Sequence, residues 1–255
     1  MSFLSPLELL EAPERNLDGE ELRQAVRRAR RRWLSEFQLS DELTIGPENV
    51  RLDKDALLRL LEVLDDERQA RMHRELYHHA LYDFLSGKSQ ARGAWPVRDE
   101  ELRAFSEPFF TEVFLTRYKN LFLQKDYDRV LLLSAVFSPA GKEKETVLME
   151  ELRSFFHTRL LRLNGMVGEL KREKKLTPEL EELLSVGLVS FWNRVPANIG
   201  VLRNALMRIY FDFYSETVFL PEPAKYRRQI MSCVNALELD ADGNRWRQQL
   251  YKKHI

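Results

Sequence analysis

The pattern of apolar and polar positions along this chain has helical periodicity almost throughout. Leu22, Ala25, Val26, Ala29, Trp33 and Phe37 recur at steps of three and four, so Asp18–Phe37 reads as an amphipathic helix. Asp18 is placed as its N-cap, with Glu21 completing a capping-box-like start. A short helix over Leu4–Glu11 precedes it. The same logic predicts helices over Asp53–Leu64 and Glu67–Leu85.

Further on, helices are predicted over Val97–Gln124 (reset at Pro108), Asp126–Phe137, Lys142–Leu163, Pro178–Arg194, Ala197–Phe219 and Ala224–Leu237, with a last short one after "DADGN". Val130–Phe137 is apolar nearly all round and is expected to be a buried helix, whereas Ile199, Leu202, Leu206, Ile209 and Phe213 form a single stripe. No hairpin-flanked strand alternation and no repeat at a fixed period is apparent. The class predicted is all-α. The loop "SGKSQARGAWP" is glycine-bearing and polar, and suggests two parts, residues 1–88 and 97–255.

Composition changes this picture little. Forty basic and forty acidic residues cancel over 255 positions. Residues 1–90 carry 14 Lys/Arg against 18 Asp/Glu, net −4, which leaves net +4 for the rest. That balance argues against a dedicated nucleic-acid binder. The single cysteine, Cys233, excludes an intrachain disulfide and a Cys-based zinc site. "MSFLSPLELLEAPE" has neither the basic nor the long apolar region of a signal peptide, and Val130–Gly141 is too short to span a bilayer. The expectation is a soluble, cytoplasmic protein without membrane association.

Charge does concentrate locally. Six arginines fall between Arg23 and Arg32, and the helical phase puts Arg23, Arg27, Arg30 and Arg31 mainly off the apolar face. A solvated face is the simplest reading; a protein-docking face is the functional one. The order around it is suggestive: a short helix, a turn, a basic helix, a long acidic loop, then a helix ending "LLEVLDDERQARMHRELY". "PLELLEAPERNLDGEELRQAVRRARRRW" resembles the opening of the J-domain of DnaJ-type co-chaperones, a short "YxxLG" helix followed by "eeIkkAYrklalkyHPD". Glu62–Ala70 resembles that family's third-helix ending, "eVLsDpekRa". The resemblance covers about residues 5 to 85. It implies a docking face at Arg27, Arg28 and Arg31 and a partner related to chaperones. Leu34-Ser35-Glu36 stands where the family carries His-Pro-Asp, the tripeptide that stimulates the chaperone's ATP hydrolysis. The resemblance therefore implies a degenerate module that acts as an adaptor rather than an activator.

Other constellations are incomplete. Glu75 and His78 form an ExxH step, but no second one exists: Ser154 stands three before His157. Glu75, His79 and Asp83 align at helical spacing, so a metal or enzyme site near Glu75, His78 and His79 is the rival reading; no metal ligand set is complete and no cofactor is implied. "SGKS" at Ser86–Ser89 has Tyr82 where a phosphate loop needs glycine. In "DADGN", Gly243 and Tyr251 miss the calcium-loop positions, so a turn is expected. "KREKK" at Lys171–Lys175 is a solvated connection without an aromatic platform. Two aromatic runs, one around Phe114 and Tyr118 and one around Tyr210 and Tyr214, read first as core. With Phe191 and Trp192 they are also the candidate walls of a hydrophobic groove for a partner helix or apolar ligand. No catalytic residues can be assigned.

Overall fold

The computed structural model describes residues 3–11, 17–46, 49–88, 95, 97–136, 145–195 and 197–254, and it is mostly helical. The chain falls into two compact units. The first holds the described residues of Met1–Tyr118 and Leu133–Pro139, the second those of Lys119–Leu132 and Ala140–Ile255.

The first unit opens with a 3-10 turn, Pro6–Leu9, capped by the Ser5 hydroxyl, followed by α1, Gly19–Glu36. The stripe predicted for α1 is the one it buries: Leu22, Ala25, Val26 and Ala29 are in the core, with Trp33 and Phe37 packed against it. Asp18 stands at the N-cap, but its side chain makes no capping bond. Its carbonyl takes the Glu21 and Leu22 amides instead. Gly19 starts the helix at a φ of 45°, a backbone state that glycine adopts without strain.

The next element corrects the all-α expectation. Residues assigned to a long acidic loop form an antiparallel hairpin, β1 (Glu42–Ile45) with β2 (Val50–Asp53), in register Leu43↔Leu52 and Ile45↔Val50. Gly46 and Asn49 turn the chain with positive φ. Ile45 and Leu52 point into the core that α1 covers.

Asp53 then caps α2, Lys54–Glu62, through its carboxylate and the Ala56 amide at 2.7 Å. A 3-10 turn, Val63–Asp65, leads to α3, Glu67–Tyr77, capped by Asp66. The single helix expected over Glu67–Leu85 is two. His78 ends α3, and His79 starts α4, Ala80–Leu85, by accepting the Leu81 amide on Nδ1 at 3.0 Å. The α4 carbonyls of Phe84 and Leu85 are closed by Arg117, which reaches back from α5, Glu100–Leu123. Pro108 does not reset that helix; it sits on an exposed position inside it. The loop expected to separate two parts lies largely outside the described residues, although Trp95 is buried and stacks on Phe110 at 4.2 Å.

The second unit contains the end of α5 and most of α6, Tyr127–Val136. It continues with α7 (Glu145–Glu173), α8 (Pro178–Glu182), α9 (Val186–Arg194), α10 (Ala197–Gly200), α11 (Arg203–Glu216), α12 (Pro223–Ala236) and α13 (Ala241–His254). The predicted ends at Phe137 and Lys142 lie outside the described residues. Within α6, Val130 is buried but Leu132 is exposed, so that helix is not buried on all sides as expected. Ile199, Leu202, Leu206, Ile209 and Phe213 are all buried, but the single helix expected over Ala197–Phe219 is broken: α10 stops at Gly200, Leu202 is the N-cap of α11, and Thr217–Phe219 is a 3-10 turn. Helix α11 packs against α7, α12 and α13. Thr177 caps α8 ahead of Pro178, which suits the first helical position because it has no amide to leave unpaired.

Candidate functional site on the arginine helix

The α1 arginines divide into two sets. Those on the flanks of the apolar stripe are tied to the unit. Arg30 meets Asp65 at 2.6 Å, Arg23 meets Glu67 at 3.3 Å, and Arg32 donates to the Leu9 carbonyl at 2.9 Å while lying over the Trp33 ring. Trp33 Nε1 donates to the same carbonyl at 2.8 Å, so the 3-10 turn is fastened to α1 from two adjacent positions.

The other set is the crest. At about 100° per residue, Arg27, Arg28 and Arg31 fall opposite Leu22, Val26 and Ala29. All three are exposed, and among the described residues none makes an ion pair. No acidic residue stands three or four positions from any of them: Arg27 and Arg31 neighbour each other, as do Arg28 and Arg31, and the remaining neighbours are Arg23, Gln24, Ala25, Arg30, Arg32, Leu34 and Ser35. Like charges at this spacing cost a helix roughly 0.2–0.5 kcal/mol per pair. The three residues that the J-domain resemblance implies for docking are those left free.

The segment aligned with His-Pro-Asp is the last turn of α1, with Phe37 following as its C-cap. The Ser35 hydroxyl is spent on the Arg32 carbonyl, at 2.6 Å. Leu34, off the apolar stripe by its helical phase, is 37% exposed, and Leu39 beyond the helix end is 85% exposed. Leu34 was legible in the helical phase of the sequence as an apolar residue off the stripe but was not singled out; Leu39 lies past the helix end, where phase assigns it no face.

A cleft of about 680 Å³ lies between the start of α1 and α3, where Arg23, Arg68, Arg71 and Arg74 line it. Its charges are already matched: Arg23 is held by Glu67, and Arg68 and Arg71 share Glu101 at 3.0 and 2.8 Å. Arg74 spends its guanidinium on the Leu17 and Ala70 carbonyls, while Asp18 adds another carboxylate to the wall. The cleft has no surplus charge with which to select an ion, in contrast to the crest.

The residues of the rival reading are not brought together. The break at His78 and His79 removes the common helical face that aligned Glu75 with His79 and Asp83, and it leaves His78 as a C-cap. His73 is buried among Phe3, Phe105 and Phe109, and desolvation lowers its pKa to about 4. Among the described residues, no group of three or more His, Cys, Asp or Glu is placed to hold a metal ion.

All six groove candidates are buried. Phe114 and Tyr118 meet as tilted rings along α5 in the first unit, 5.8 Å apart. Phe191 and Trp192 pack on Phe156 in the second unit, at 5.7 and 5.3 Å. Tyr210 donates to the Leu183 carbonyl at 2.6 Å, and Tyr214 pairs with His254 at 2.7 Å. Trp192 does line a void, of about 10 Å³, with room for no more than a water-sized guest. Burial raises the Cys233 thiol pKa, which keeps it in the unreactive thiol form. Asp240 is the start signal of α13: the Gly243 and Asp242 amides and the Asn204 side chain bind its carboxylate and lower its pKa.

No family model, no curated protein and no solved structure matches the chain. Among the described residues, no helix is long and apolar enough to cross a membrane.

Proposed function

We propose that this chain is a non-catalytic adaptor whose first unit docks an acidic surface of a protein partner on the crest of α1, at Arg27, Arg28 and Arg31. The observation that carries the reading is the division among the α1 arginines. Arg23, Arg30 and Arg32 are consumed by the unit's own contacts, whereas three adjacent guanidiniums on the crest are left without a carboxylate. Their mutual repulsion works against the helix, and a partner's carboxylates relieve it.

A protein surface fits better than a nucleic acid. The crest offers three charges in a chain of zero net charge, and exposed Leu34 and Leu39 lie at its end, where a phosphate backbone has no use for them. The chaperone-related partner rests on the sequence resemblance of residues 5 to 85 to the J-domain alone. The leucine, serine and glutamate in place of His-Pro-Asp support an adaptor without the power to stimulate an ATPase.

The test compares the wild type with Arg27→Glu/Arg31→Glu. Proteins retained by each are quantified by mass spectrometry, and melting temperatures are measured alongside. Loss of a specific partner at unchanged melting temperature supports the reading. Identical partner sets for both proteins overturn it. Stimulation of a chaperone ATPase by the wild type would overturn the adaptor assignment.

A further inference from the structure

Resting on that reading of the crest, we infer that the element docked there is an acidic amphipathic helix, with two carboxylates one turn apart and a large apolar side chain one turn beyond them. Arg27, Arg31 and Leu34 stand at i, i+4 and i+7, on one face of α1 and within about 10 Å along its axis. Arg28 flanks Arg31, and Leu39 follows where the chain leaves the helix. The crest is therefore graded, basic over its first two turns and apolar at its end.

A second helix lying along α1 presents side chains at the same axial rise. Carboxylates at its own i and i+4 thus reach Arg27 and Arg31 together, and its apolar residue covers Leu34. An extended acidic strand places same-face side chains about 6.6 and 13 Å along its length, so it can meet Arg27 and Arg31 but overshoots Leu34, about 10 Å from Arg27 along the axis; only a helix matches all three points. The charge supplies encounter and orientation, and the leucines supply a desolvated anchor of the kind that dominates binding energy at interfaces. The apolar anchor is what separates this occupant from a polyanion, which would use the arginines alone. The two runs of elements compatible with the crest are L-x-x-E-x-x-x-E for an antiparallel helix and E-x-x-x-E-x-x-L for a parallel one.

The experiment uses the full chain and two fluorescein-labelled, alanine-based helical peptides carrying these two spacings, read by fluorescence anisotropy. A control peptide of the same composition places its glutamates on the face opposite its leucine. At least one designed peptide is expected to bind at least about tenfold more tightly than the control, since only it engages charge and anchor together. Arg27→Glu/Arg31→Glu should abolish that binding, and a peptide with lysines in place of both glutamates should restore it on this variant. Leu34→Ser/Leu39→Ser should weaken it severalfold with only a small fall in melting temperature, since Leu39 is 85% and Leu34 37% exposed.

If the leucine substitutions have no effect, or if the control peptide, single-stranded RNA or anionic vesicles bind as well and with the same dependence on the arginines, the amphipathic-helix inference is overturned while the docking crest stands. If neither designed peptide binds, yet the charge reversal still removes a partner protein, the inference again fails by itself. If the charge reversal changes neither peptide binding nor the retained proteins, the crest reading fails and takes the inference with it.

Discussion

Arg159 and Glu182 meet at 2.7 Å inside the second unit, and the Tyr127 hydroxyl donates to the other oxygen of the same carboxylate at 2.6 Å. Glu182 is 5% exposed, so its charge is held by these two partners rather than by water. The guanidinium of Arg159 also lies over Phe122, whose ring packs on Phe156 and Phe191. This pair ties α7 to α8 at the edge of the aromatic cluster. Glu182→Ala is expected to destabilise the protein by about 3 kcal/mol, because it leaves a largely buried guanidinium without its counter-charge. Replacing both partners, Arg159→Met with Glu182→Leu, should cost less than the single change. Urea unfolding of the three proteins decides the order.

His73 sets a pH dependence in the first unit. Its folded-state pKa is about 4 against 6.5 in the unfolded chain, because burial among aromatic rings disfavours the charged form. The unfolded state therefore binds a proton first as pH falls. The protein keeps its full stability above pH 6.5 and loses it progressively between 6.5 and 4, by about 3 kcal/mol from this group. In His73→Phe the slope of stability against pH in that window should flatten. An unchanged slope would mean that the imidazole is solvated.

Trp33 is half-buried, and its indole shares the Leu9 carbonyl with Arg32. Trp33→Ala should cost about 2–4 kcal/mol through lost packing and the lost hydrogen bond, below the range for a fully buried tryptophan. Trp33→Phe keeps most of the packing, and should cost about 1 kcal/mol in chemical denaturation.

Flank and crest arginines should respond oppositely to charge reversal. Arg30→Glu sets a carboxylate against Asp65 and should lower stability, though by no more than about 1 kcal/mol because the pair is part-exposed. Arg27→Glu/Arg31→Glu keeps positions 27 and 31 like-charged but turns their repulsion with Arg23, Arg28 and Arg30 into attraction, and should leave the melting temperature unchanged or slightly raised. Calorimetry on both variants gives the comparison.

The sequence reading succeeded where a signal is local and failed where it is not. The α1 stripe and the Ile199–Phe213 stripe follow from 3.6-residue periodicity, and the structure buries both. The hairpin was missed because each strand has only four residues, too few for alternation to emerge, and because pairing depends on a partner strand rather than on neighbours in sequence. Gly46 and Asn49 were the available signals. The break after Tyr77 contains neither glycine nor proline. A histidine ring makes the cap, a role more usual for Ser, Thr, Asp or Asn, so two helices read as one. The candidate metal alignment failed for the same reason. At the crest, helical phase alone separates the outward arginines from the stripe. Which flank arginines would be consumed depended on Asp65, Glu67 and the Leu9 carbonyl, whose positions are set by tertiary packing.

The β1–β2 hairpin also governs how the first unit breathes. An isolated two-stranded ribbon has little stability of its own in water, and this one is anchored through Ile45 and Leu52, with the Gly46 turn closing on Leu4. The lifetime of its backbone hydrogen bonds is therefore set by how long those two side chains stay seated. Its amide protons should exchange with solvent well before those of α1, as the ribbon lifts while the helices beneath it remain closed.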